Sequence, residues 1–168
     1  WFISTAMAAH LPRLLQAAGA TLAAAVGVGA RVGPAQVVGR LAEFSLMRRA
    51  SPLLSARLAA LAHPTGALLL VAWGAPFSAA FAVLHGAGNG ILTIAIGTLP
   101  LMFFGAEGYG ARQGWLMLPA RVTQALAPFA FGVALEQLGA QALWLSAALS
   151  FSAFLALTMV PHRPVAPL

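Results

Sequence analysis

Apolar runs such as 77–104 and 142–160 leave a polypeptide few ways to fold, because each is about as long as the ~20 residues that carry an α-helix across hydrocarbon, or longer. Such runs have almost nothing with which to face water. The remainder of the chain is built alike: of its 168 residues 61% are hydrophobic and 7% charged, where a soluble domain carries about 25% charged and about 45–50% apolar residues. An integral membrane protein is expected, with room for about five to seven spans in one compact bundle. Strands of a membrane barrel would alternate in polarity over about 10 residues, and no window here does. The expected fold class is therefore all-α, a polytopic membrane helical bundle.

Composition also narrows the chemistry. Four His, three acids and no Cys cannot furnish a thiolate site, a Cys-rich zinc site or a disulfide framework, and no cofactor is expected. The nine basic residues are all Arg and are scattered among apolar runs, which favours positive cytoplasmic loops over a nucleic-acid surface. Membrane lipids are the expected partner and nucleic acid is not. The chain opens on Trp1-Phe2-Ile3, with no initiator Met and no basic leader, and is expected to enter partway through a helix.

Hydropathy and breaker residues divide the chain into about six spans: 1–15, 22–44, 57–74, 77–104, 115–138 and 142–160. The connection 45–56 is the most polar, His63-Pro64 predicts a kink in the third span, and 105–114 reads as a glycine-rich loop. Placing 45–56 in the cytoplasm gathers Arg40, Arg48, Arg49, Arg57, Arg112 and Arg163 inside and leaves Arg13 outside, which satisfies the positive-inside rule. The C-terminus is then cytoplasmic.

Ionisable groups within a span are costly and mark pathways or cavities. Arg31 falls about 15 Å into the second span at 1.5 Å per residue. Arg121 lies nearer the cytoplasmic end of the fifth, within reach of the interface by snorkelling. Arg121, Gln124, Pro128 and Phe131 share one helical face, as do His85, Asn89, Thr93 and Pro100 on the fourth span. These stripes suit a cavity wall, and Asn, Thr and His also suit plain hydrogen bonding between helices. Gly29-x-x-x-Gly33 and Gly86-x-x-x-Gly90 have the spacing of close helix packing. The run His85 to Gly90 follows no strand and is not read as a nucleotide loop. No Ser sits in a Gly-rich nucleophile motif and the His and acids are dispersed, so the chain is not expected to be an enzyme or to bind metal.

Three stretches resemble the C-terminal six-helix half of a major facilitator superfamily (MFS) transporter. Gly39-Arg40-Leu41-Ala42-Glu43, followed by Arg48-Arg49, is similar to the superfamily's signature in the loop after the second helix of each half, with extra residues before the basic pair. Ala6 to Arg13 leading to Gly33 to Arg40, and Asn89 to Ile94 through Gly97 to Pro100 and Gly108 to Gly110, resemble a subset of bacterial members. Ile96 stands where such members often carry Arg before Gly-Thr-x-Pro, so no charge relay is implied there. The resemblance implies a bacterial inner-membrane carrier whose halves rock about a central site in alternating access, with a missing N-terminal half-bundle as partner and a small solute as cargo. It also implies that His10, His85, Asn89 and Thr93 line the pathway, with Arg31, Gln36, Arg121 and Gln124 behind or beside them. Gly39, Arg40, Glu43, Arg48 and Arg49 would form the cytoplasmic gating loop. Uniport and proton coupling through His are both compatible with these residues, because no carboxylate lies in mid-span. The two mid-span Arg residues suit an anionic solute or pairing with acids on the missing helices. A different class remains beside transport: a six-span interaction or assembly module.

Overall fold

The computed structural model describes residues 1–47 and 51–161, and every regular element among them is helical. The helices are α1 (Phe2–Ala17), α2 (Leu22–Gly29), α3 (Val32–Ala42) with a π-helical turn (Glu43–Met47), α4 (Pro52–Trp73), α5 (Ser78–Phe104), α6 (Tyr109–Leu138) and α7 (Leu143–Met159). Four segments, Leu22–Ser45, Pro52–Trp73, Ala75–Phe104 and Tyr109–Met159, are long and apolar enough to cross a membrane. The last of them is broken where Gly139, at φ +55°, turns α6 into α7. Gly74 and Gly105, both at φ +70°, end α4 and α5 at conformations that residues with a β-carbon adopt with strain.

Three expected boundaries move. The second span is not one continuous helix, because Pro34 has no N–H to give the Ala30 carbonyl and its ring crowds that carbonyl, so the chain breaks at Ala30-Arg31 between α2 and α3. The third begins at Pro52 rather than Arg57: Ser51 Oγ accepts from the Leu54 N–H at 3.2 Å, and Pro52 occupies a first-turn position where no N–H is needed. The fifth begins at Tyr109 rather than Trp115, which shortens the expected glycine-rich loop to 105–108.

The core joins Met7, Leu11, Leu14 and Leu15 of α1 to Phe81 of α5 and Phe131 of α6, all buried. Glycine sets the closest helix crossings. A β-carbon on Gly86 would stand 2.6 Å from the Val32 carbonyl oxygen, and one on Gly88 would stand 2.8 Å from that of Ala59. Gly90 has equally little room against Gln36 of α3. The Gly86-x-x-x-Gly90 spacing thus forms the α3–α5 crossing. Gly29-x-x-x-Gly33 does not make such a contact: the break at Ala30-Arg31 comes between the two glycines, and no described atom lies within 4 Å of either β-carbon position.

Proline inside a helix leaves the carbonyl four residues earlier without its donor, a cost that neighbouring side chains can remove in hydrocarbon. Two such carbonyls are served here. Pro64 frees the Ala60 carbonyl, and Ser150 Oγ of α7 donates to it at 2.8 Å. Pro100 frees the Ile96 carbonyl, and Gln113 Nε2 of α6 donates to it at 3.2 Å. Arg57 of α4 holds the C-terminal end of α7, donating to the carbonyls of Leu157 at 3.0 Å, Val160 at 3.1 Å and Thr158 at 3.3 Å. These carbonyls have no onward helical N–H to receive, and the negative end of the helix dipole favours a cation there.

Candidate functional site

α4 and α5 form an antiparallel hairpin about Gly74, and the tight turn at Ala75–Phe77 keeps their facing sides in register. His63 and His85 stand eleven positions to either side of Gly74, and this symmetry brings their rings together. Their Nδ1 atoms are 3.0 Å apart. His63 Nε2 lies 2.9 Å from Ser146 Oγ of α7, and that hydroxyl donates to the Leu143 carbonyl one turn back, also at 2.9 Å. Phe81, fully buried, packs its ring against both imidazoles, with centroids 5.5 Å from His63 and 6.0 Å from His85. Both histidines are 5% exposed. The result is a buried polar chain of three side chains from three helices.

Two cavities meet at this chain. The larger, about 370 Å³, is a half-open cleft bordered by α1, α2, α3 and α5 and includes Ser4, Met7, Gln36 and His85 in its lining. The smaller, about 160 Å³, lies between α1, α4, α5 and α7, and Ser4, His63, His85, Asn89 and Ser150 border it. Ser4 and His85 belong to both walls. Among the described residues, no Arg, Asp or Glu side chain lines either cavity.

Of the residues singled out in the sequence, His85, Gln36 and Asn89 come together around these cavities. The others lie elsewhere. His10 Nε2 meets the Pro128 carbonyl at 2.7 Å, in space that the absent side chain of Gly132 leaves open on α6. Thr93 turns its hydroxyl back onto the carbonyls of Asn89 at 2.8 Å and Gly90 at 2.7 Å. Arg31 is exposed at the break between α2 and α3. Arg121 donates to Gln124 Oε1 at 2.8 Å on an exposed face of α6 and lies 4.8 Å from the centre of the Trp1 ring. It approaches the smaller cavity only through that indole.

In the expected gating loop, Gly39 packs against Ala87, Arg40 is exposed and Glu43 is buried. Arg48 and Arg49 lie outside the described residues. His63, Ser146 and Ser4 were absent from the sequence-derived set. Serine is common in apolar helices, so Ser4 and Ser146 carried no signal of their own. His63 did have one, in its mirror position to His85 across the turn.

No family model matches the chain, and no curated protein or solved structure shows significant similarity to it.

Proposed function

We propose that this chain is a six-helix half of a secondary transporter of the MFS type, moving a small solute by alternating access in a bacterial inner membrane. The observation that carries the reading is the pair of adjoining cavities, walled by polar groups from separate helices and sharing His85. Interhelical hydrogen bonds account for His63, Ser146 and Ser150, whereas Gln36 and Asn89 border cavity space, where a polar group costs free energy in hydrocarbon unless water or a solute satisfies it. In this reading α1, α2 with α3, α4, α5, α6 and α7 are the six spans, and a second six-helix bundle closes the pathway. The C-terminus is cytoplasmic, and Gly39, Arg40, Glu43, Arg48 and Arg49 form the cytoplasmic gate.

The chain is a carrier rather than an enzyme. Ser146 is fully buried, and the Leu143 carbonyl 2.9 Å from its oxygen competes with His63 for its single hydrogen, which does not suit a nucleophile activated by a base.

The test is flux across proteoliposomes containing the full reading frame, using a panel of small labelled solutes. Asn89→Ala and Gln36→Ala are expected to lower flux about tenfold or more with unchanged membrane insertion. Inserted protein that moves no solute in the panel, or variants that move it at the parental rate, would overturn the reading.

A further inference from the structure

The polar chain at the cavity junction has a direction, and its direction is set by one serine. Ser146 has a single hydroxyl hydrogen, and the Leu143 carbonyl 2.9 Å from its oxygen is a group that can only accept. With that hydrogen given to the carbonyl, the oxygen can only accept toward His63, so His63 Nε2 carries a hydrogen and donates it across the 2.9 Å contact. A neutral imidazole with hydrogen on Nε2 has a bare Nδ1. The 3.0 Å contact between the two Nδ1 atoms needs one donor and one acceptor, so His85 must supply its hydrogen from Nδ1. A neutral His85 with hydrogen on Nδ1 has a bare Nε2. That nitrogen has no partner among the described residues and is not sealed off, and His85 borders both cavities.

We infer that the Leu143–Ser146–His63–His85 chain fixes the tautomer of His85 so that its Nε2 presents a lone pair to the cavity, selecting a small solute with an N–H or O–H donor. Such a solute is an amide, amine or alcohol. An unprotonated carboxylate of the same shape brings lone pairs to a lone pair in a cavity wall that has no Arg side chain among the described residues, and it is rejected. Ser4 and Gln36 complete the recognition from α1 and α3. His85 is the recognising residue, and His63 and Ser146 are positioning residues that act through it. A site built to accept one hydrogen discriminates strongly against an analogue that lacks it, because the buried acceptor is then left unpaired. The two mid-span Arg residues suggested an anion in the sequence, and neither borders these cavities.

This inference deepens the transport reading by naming its solute class, and rests on that reading for the word solute alone. Its test reads the protein's own protons. The full chain, labelled with ¹⁵N-histidine in lipid nanodiscs at about pH 8, is examined by NMR for the hydrogen on each ring nitrogen. His63 is expected to carry hydrogen on Nε2, and His85 on Nδ1 with Nε2 bare. Ser146→Ala removes the director and is expected to give mixed tautomers at both rings. Ser146→Thr, which keeps a hydroxyl able to bond back onto the helix, restores the single pattern and controls for misfolding.

Added acetamide is expected to shift the His85 Nε2 resonance, while isosteric acetate leaves it in place. Hydrogen on His85 Nε2 in the parent chain, tautomers indifferent to Ser146→Ala, or a response to both additives or to neither overturns the assignment. The expected tautomers and acetamide response combined with absence of flux from every solute would instead sink only the transport reading.

Discussion

Two segments of this chain are nearly equal in hydropathy and opposite in circumstance. Within Leu22–Ser45 and Pro52–Trp73, 18-residue stretches have mean hydropathies of 1.3 and 1.4, yet 22% of the first stretch is buried and 50% of the second. The difference lies in what each brings to its neighbours. α4 offers Arg57, His63 and the carbonyl freed by Pro64, and α5 or α7 answers each of them. The α2–α3 segment offers α5 a seam of small groups around Ala35 and Gly39, and turns Arg31, Val37, Val38 and Leu41 outward. Apolarity puts a helix in the membrane. Polar address and glycine position determine how much of it is enclosed once there.

The sharpest way to break this comparison is to place a side chain where the backbones meet. Gly86→Val puts a β-carbon 2.6 Å from the Val32 carbonyl oxygen, and is expected to lower stability by about 2–3 kcal/mol or to prevent folding. Gly33→Ala, on the open side of the same crossing, is expected to be neutral or to stabilise by up to about 1 kcal/mol. Unfolding of the two variants in mixed micelles compares them directly, and equal losses would mean that both sides of α3 are enclosed.

Next in size is His63→Leu, which strands hydrogen-bonding groups on buried His85 and Ser146 and is expected to destabilise by about 1–3 kcal/mol. Arg31→Leu is the matched change on the exposed segment and should remain within about 0.5 kcal/mol. A smaller effect tests the proline pairing. Ser150→Ala is expected to cost about 0.6–2 kcal/mol alone, and less when combined with Pro64→Ala, which returns a backbone donor to the Ala60 carbonyl. Additive losses in that double-mutant cycle would refute the pairing. The smallest is Arg13→Ala. Its 3.7 Å contact with Glu136 is made by side chains 58% and 65% exposed, and the change should move stability by less than about 0.5 kcal/mol.

Helix positions were readable because hydrocarbon length and breaker residues act locally. The split at Ala30-Arg31 was readable too, in Pro34, but a glycine-rich apolar run masks a break that costs no hydropathy. Gln36, His85 and Asn89 could be chosen because polar groups in apolar helices are few. Thr93 leans toward plain hydrogen bonding in the sequence more than Asn89 does, and whether a hydroxyl faces a cavity or its own helix backbone depends on a single rotamer. The His63–Ser146 contact spans 83 positions, and only the way α7 lies against α4 brings the pair together. His63 and His85 were within reach of arithmetic, given the hairpin.

The carbonyls freed by Pro64 and Pro100 also have a mechanical meaning. Each offers an acceptor at one level of a helix, and a single side chain on the neighbouring helix matches that level. Sliding α7 along α4 by one turn, about 5.4 Å, would unseat Ser150 from Ala60 and Arg57 from the end of α7 together. The register of α7 on α4 is therefore set by matched levels and not by apolar contact alone. Gln113 sets the level of α6 on α5 in the same way, so resistance to sliding among α4, α5, α6 and α7 comes from a few matched levels rather than from bulk.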